Sequence, residues 1–173
     1  MNRISPPTWS VPVRVEDVPE GGLAVELAAD AAIRTALARA AGVDAVSRLE
    51  ARFDVIRRGH DGLHVAGGVS ATVRQTCVVT LEPVENEIEE KVDLTFVPGD
   101  PNALPKGEQE IGEREPPDTL VNGSIDLGAI ATEFLILGID PYPRKAGAVF
   151  AAPDSDDPSD RPFAALAALK NRR

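Results

Sequence analysis

Side chains able to do chemistry are sparse in this chain, and three sets of them frame the reading. The first is Cys77, the single cysteine, which opens the run Cys77-Val-Val-Thr80-Leu81-Glu82-Pro83. A nucleophilic or redox thiol needs a basic partner that lowers its pKa, and none stands near it in sequence. On residue type alone Cys77 is a small inward-facing core residue. The second set is His60 and His64, which flank Asp61-Gly62 and can meet across a turn. One thiol and two histidines do not make the three or four ligands of a recognisable metal site, so a solvated hairpin tip is the plainer reading. Gly67-Gly68 matches neither nucleotide-binding fingerprint. The chain is therefore read as a non-enzyme, with no catalytic residue, no metal ligand and no cofactor.

The third set is Arg48, Arg52, Arg57, Arg58 and Arg74. Guanidinium groups pair with phosphates bidentately, so these five are candidate RNA-binding residues. They serve equally well to balance Glu50 and Asp54 on a solvated sheet face. One further charge, Glu133, sits inside an apolar stretch. It lies either on a wet strip beside Thr132 or as a functional or arginine-paired acid.

The elements that must position these groups are legible from periodicity. Ile125 to Pro143 reads as an N-capped helix, with Asp126 as the cap and Asp140-Pro141 as the stop. Leu127, Ile130, Phe134 and Leu137 share a face, while Leu135 and Ile136 make the other faces apolar too. A helix of this kind is expected to be buried nearly all round. It is shorter than the roughly 20 apolar residues that span a bilayer. Asp30 caps a second helix, Ala31 to Ala41, that stops at Gly42. Period-two alternation marks strands at Val11–Val15, Leu23–Leu27, Arg48–Val55, Leu63–Cys77 and Ile88–Phe96, with more strand character through Cys77, Val79 and Leu81. Pro12 sends the first of them to an edge. Gly67-Gly68 interrupts the fourth as a bulge or a close backbone approach. The fold class expected is α+β: an antiparallel, strongly curved sheet or partly open barrel packed on a buried helix. One further helix and a short C-terminal helix complete it.

Residues 1–150 are read as a single domain, 151–161 as a linker and 162–173 as a short C-terminal helix or tail. Phe163, Leu166, Leu169 and Lys170 share a face of that segment and are candidate partner-binding residues. The net charge of −10 argues against a protein that coats nucleic acid uniformly. The acidity is uneven: residues 82–118 hold twelve acids against three bases, and 34–74 hold seven arginines against four acids. Residues 98–118 read as a mobile acidic loop. A lone cysteine, and an opening MNRISPPTWSVPV without a continuous apolar run, lead to the expectation of a cytoplasmic protein that does not engage a membrane.

Three blocks in order resemble one family. They are Cys77-Val-Val-Thr80-Leu81-Glu82-Pro83-Val84, the Ile125-Asp126-Leu127…Glu133…Leu137 helix with its Pro141/Pro143 exit, and Pro162-Phe163-Ala-Ala-Leu166-Ala-Ala-Leu169-Lys170. Together, over Trp9 to Lys170, they look like the YceD family of large ribosomal RNA subunit accumulation proteins. The resemblance implies a cytoplasmic, non-enzymatic bacterial factor supporting synthesis, processing or stability of large-subunit ribosomal RNA. Its partners would be a precursor ribosomal RNA, a ribosomal protein, or both. Many relatives carry Cys-x-x-Cys-Leu in the first block; Thr80 stands at the second cysteine here, which argues against a metal or redox role for Cys77. The alternative is a protein-interaction module that docks through its C-terminal helix without touching RNA. A cysteine-dependent enzyme is a third, weaker rival.

Overall fold

Two side-chain-capped helices and a three-strand ladder of unusual length set the architecture. The computed structural model describes residues 9–59, 61–99 and 117–150. Within them lie β1 (Pro12–Arg14), a single 3-10 turn (Val15–Asp17), β2 (Leu23–Ala28), α1 (Ala31–Ala41), β3 (Ala45–Arg58), β4 (Gly62–Thr76), β5 (Pro83–Pro98), β6 (Asp118–Leu120), β7 (Ser124–Asp126) and α2 (Leu127–Gly138). The main sheet runs β2-β3-β4-β5-β6, and β1 pairs with β7 in a separate two-stranded sheet. Asp30 caps α1 by accepting from the Ile33 N–H at 2.8 Å, and Gly42 closes it in the left-handed conformation.

Alternation decides which face of the ladder is dry. Leu49, Ala51, Phe53 and Val55 of β3, Leu63, Val65, Val69, Ala71 and Val73 of β4, and Ile88 and Val92 of β5 are buried. They join Leu37 of α1 and Leu127, Ile130, Ala131 and Leu135 of α2 in one core. Each fully buried Leu or Phe there contributes about 2 kcal/mol of transfer free energy before entropy is charged. Gly67 faces this core where β4 crosses β3, opposite Phe53. A Cβ at that position would collide with the backbone carbonyl of Arg52, so the interruption read from Gly67-Gly68 is a close approach of two strands. Gly138 plays the same part for α2. A Cβ there would meet Ile88 Cγ2 at 2.5 Å and Glu90 Oε1 at 2.9 Å, so its absence lets the helix seat on β5.

The α+β class holds, and four expectations are corrected. The strong curvature or partly open barrel is not borne out: the sheet is neither closed nor strongly curled, and β2 and β6 at its ends do not pair. With six and three residues, those end strands are too short to supply a closing ladder. The sheet is mixed, since β6 runs parallel to β5 over Phe96–Pro98. Strand character does not persist through Leu81, because Cys77 to Thr80 form a turn before Pro83 opens β5. Finally, α2 is not buried all round. Among the described residues β4, β5 and β1 pack against it and leave Ile136 and Leu137 45% and 69% exposed and Glu133 in solvent. His60, the loop over 100–116 and the C-terminal segment 151–173 lie outside the described residues.

The Asp126 carboxylate joins three elements. Oδ1 accepts from the N–H groups of Gly128 at 3.0 Å, Ala129 at 3.1 Å and Val11 at 2.8 Å, and Oδ2 accepts from the Ser10 hydroxyl at 2.6 Å. An ordinary cap is worth about 1 kcal/mol. Asp126→Ala also orphans donors outside the helix and is expected to cost about 2 kcal/mol or more in urea denaturation. A loss no greater than that of Asp30→Ala would show that β1 does not depend on the contact.

Candidate functional site

Four of the five arginines proposed for RNA lie on the solvent face of the main sheet, and the fifth does not. Arg48, Arg52 and Arg58 alternate outward along β3, and Arg74 faces out from β4. Arg57 has the opposite parity, and backbone carbonyls occupy its guanidinium. Its Nε donates to the Val18 carbonyl at 2.6 Å and Nη2 to the Glu16 carbonyl at 3.0 Å, pinning the 3-10 turn whose neighbour Val18 is wholly buried.

The outward arginines are interleaved with carboxylates. Arg48 spans three strands: Nη2 meets Glu87 at 2.8 Å, and Nη1 meets Ser70 Oγ at 2.9 Å and Glu50 at 3.4 Å. The Glu87 bond is the main reason its guanidinium is held more strongly protonated than usual. Glu87 in turn accepts from Thr72 Oγ1 at 2.8 Å, and that bond, followed by Arg48, holds its carboxyl below the usual range. Arg52 reaches Glu26 at 3.4 Å. Arg58 and Arg74 make no ion pair among the described residues. Over the outer face of β2–β5, Arg48, Arg52, Arg58, Arg74 and Lys91 stand against Glu26, Glu50, Asp54, Glu85, Glu87, Glu89 and Asp93. The face is a charge mosaic with acid in excess. Its mid-line on β4 is built from the small residues Ala66, Gly68, Ser70 and Thr72. Beside them Glu50, Arg52, Gly68 and Ser70 line a concavity of about 290 Å³.

A second polar cluster gathers where α2 leaves the core. The Cys77 side chain is inaccessible to solvent, yet its sulfur is no simple apolar filler. It accepts from the N–H groups of Val79 and Thr80, both at 3.4 Å, and of Lys145 at 3.3 Å. The Thr80 side chain first, then the Lys145 and Thr80 amides, lower the thiol pKa to about 6. Around this nest, Lys145 Nζ bonds Glu82 at 3.0 Å and the Val78 N–H donates to the Pro143 carbonyl at 2.9 Å. Gln75, the one buried polar side chain of the described core, donates to the Asp140 carbonyl at 2.8 Å and accepts from Asn86 Nδ2 at 2.9 Å. These contacts stitch the exit of α2 to the β4–β5 turn. Sequence reasoning missed Gln75, Asn86 and Lys145. Nothing in local spacing marks the contacts of Gln75 with Asp140, 65 residues away, and of Lys145 with Cys77, 68 residues away, and Asn86 is placed only by its bond to Gln75. A polar residue at an inward β4 parity was the one available signal for Gln75.

The remaining candidates separate. His64 meets Asp93 across β4–β5, Nε2 to Oδ1 at 2.8 Å, and this bond is the first cause of a lowered Asp93 pKa. His60 and the predicted partner-binding residues Phe163, Leu166, Leu169 and Lys170 lie outside the described residues. No group of three or more His, Cys, Asp or Glu among the described residues is arranged to hold a metal ion. No helix among them is long and apolar enough to cross a membrane.

The family model described as "Large ribosomal RNA subunit accumulation protein YceD" matches residues 65–170, more than half of the chain. No curated protein and no solved structure matches. The match starts inside β4. It contains the sulfur nest, β5, α2 and Arg74, and leaves Arg48, Arg52, Arg57 and Arg58 on the unmatched side. That span is shorter than the Trp9–Lys170 over which the sequence resemblance was drawn.

Two outcomes follow from this geometry. Arg57→Ala is expected to lower stability in urea by about 1–2 kcal/mol, against less than about 0.5 kcal/mol for the exposed Arg52→Ala. Equal losses would remove the structural role of Arg57. For Cys77 the folded pKa lies below the ordinary value of 9.0, so thiolate stabilisation is absent below about pH 6, grows between the two and is complete above about 9. The stability gap between wild type and Cys77→Ser should therefore widen from pH 6 to pH 9; a gap that stays flat would refute the nest as a thiolate site.

Proposed function

The chain belongs to the YceD family of large ribosomal RNA subunit accumulation proteins, and from that premise we propose that it is a cytoplasmic, non-enzymatic accessory factor of large-subunit assembly. It acts by holding a basic protein partner, and its effect on ribosomal RNA is indirect. The observation that carries this reading is the outer sheet face. Its arginines alternate with carboxylates, one of them clamped into a three-strand network, while carboxylates outnumber cations. A surface that grips phosphates needs unspent guanidinium groups and a net positive field. This face leaves only the guanidinium groups of Arg58 and Arg74 without an ion pair among the described residues and has no net positive field, so it suits a lysine- or arginine-rich protein. The position of the family match agrees, since four of the five candidate arginines fall outside it.

A second contact is supported by the same match, which runs on to Lys170 and so includes Phe163, Leu166 and Leu169. In this reading those apolar residues give the partner a second foothold.

Ultraviolet crosslinking of the tagged full chain in its own cells, with parallel analysis of co-purified proteins, tests the proposal. Basic ribosomal proteins are expected to co-purify, with no crosslink peak on large-subunit ribosomal RNA. Depletion is expected to lower large-subunit relative to small-subunit ribosomal RNA. A sharp crosslink peak on the large-subunit precursor that vanishes in an Arg58→Glu/Arg74→Glu variant would overturn it in favour of direct RNA binding.

A further inference from the structure

Among the described residues, most of one edge of strand β5 has no neighbouring strand. Its sixteen residues pair with β4 along one side over Pro83–Phe96, and with β6 on the other side only over Phe96–Pro98. From Pro83 to Thr95 the second side has no strand against it, and no backbone group of this stretch bonds elsewhere among the described residues. Every second residue there points an N–H and a C=O outward, a template about 40 Å long for another extended chain. The opposite edge of the sheet, β2, offers only six residues.

Long free edges are hazards unless something limits what can add to them. Here the limit is charge: Glu85, Glu87, Glu89, Glu90 and Asp93 against Lys91. Glu87 and Asp93 are engaged by Arg48 and His64. Glu85 and Glu89 are exposed and have no cationic partner among the described residues. A second copy of this chain would bring like charges directly opposite one another, which opposes edge-to-edge pairing. A lysine- or arginine-rich strand meets a carboxylate at Glu85, Glu87, Glu89 and Asp93, four of the five charged outward-facing positions, with Lys91 the exception. The edge also stands on a firm base, because Ile88 is buried and Gly138 of α2 packs directly against it. The whole of β5 falls inside the family match.

We propose that the free edge of β5, Pro83–Thr95, is a β-augmentation site that captures an extended basic segment of a protein partner. Main-chain bonds supply the affinity, and Glu85 and Glu89 select for cationic side chains. This inference rests on the protein-holding reading given under the proposed function and locates its site.

The probe is a synthetic peptide of about ten residues alternating lysine and valine, long enough to cover most of the edge. It is expected to bind the full chain and slow amide hydrogen exchange along β5. Methylating alternate backbone nitrogens of the peptide should abolish binding while leaving its charge unchanged. Glu85→Lys/Glu89→Lys should weaken binding by at least about tenfold, with the fold intact by circular dichroism. Equal binding of the N-methylated peptide, protection elsewhere on the molecule, or protection of β5 by an RNA oligonucleotide in place of the peptide would each overturn the proposal. The double variant also separates the two readings in depleted cells. If it restores large-subunit ribosomal RNA in full, the edge is not the site and the family-level function stands. If it fails as wild type does not, edge and function stand together.

Discussion

One carboxylate, Asp126, holds together the parts of the molecule that local sequence would leave separate. It accepts from two amides of the first turn of α2, from the amide of Val11 and from the hydroxyl of Ser10. A helix N-terminus carries free N–H groups and a partial positive charge, so a carboxylate there is stabilising in its own right. By spending its remaining lone pairs on Ser10 and Val11, immediately ahead of β1, Asp126 ties the start of α2 to the entry of the N-terminal strand. α2 then covers the side of the β4–β5 ladder that alternation makes apolar, leaving the opposite face and most of the β5 edge uncovered among the described residues.

The outer face shows why a count of arginines is a poor guide to a nucleic-acid surface. Along the chain, 34–74 is basic and 82–118 is acidic, which looks like two working surfaces. Antiparallel pairing of β3, β4 and β5 interleaves them instead. Arg48 from the basic half meets Glu87 from the acidic half across β4. Exposed pairs of this kind contribute little to stability, roughly 0–1 kcal/mol each. They do cancel local field, and that matters more for choosing a partner. The acid left over is concentrated on β5, the strand whose second side is mostly open among the described residues.

The Cys77 nest gives the turn between β4 and β5 its reason to exist. Three backbone donors converge on the sulfur, two from the turn itself and one from Lys145 beyond α2. Bonds to the charged form favour thiolate, and this outweighs the cost of burial. With threonine three residues on, where a second thiol would complete a Cys-x-x-Cys pair, the cluster is closed by hydrogen bonding. Gln75, Asn86 and Asp140 extend the same junction, so the exit of α2 is held by polar contacts where apolar packing ends.

Local signals alone determined a good deal. Asp30 and Asp126 as caps, Gly42 as a stop, the inward parity of β3 and the close approach at Gly67 were all readable, because capping, alternation and steric need act within a few residues. Family membership was readable for the same reason, as three short blocks in a fixed order. Tertiary structure alone decided the rest. That the sheet stays open, that β6 adds in parallel and that half of α2 meets solvent depend on which layers cover which, a matter local periodicity does not encode. That Arg57 holds a turn, that Arg48 clamps Glu87 and that Lys145 reaches Cys77 depend on residues far apart in sequence being brought to hydrogen-bond distance. The physical divide is range: propensity and parity are local, whereas pairing, coverage and electrostatic cancellation are sums over neighbours that only the folded chain assembles.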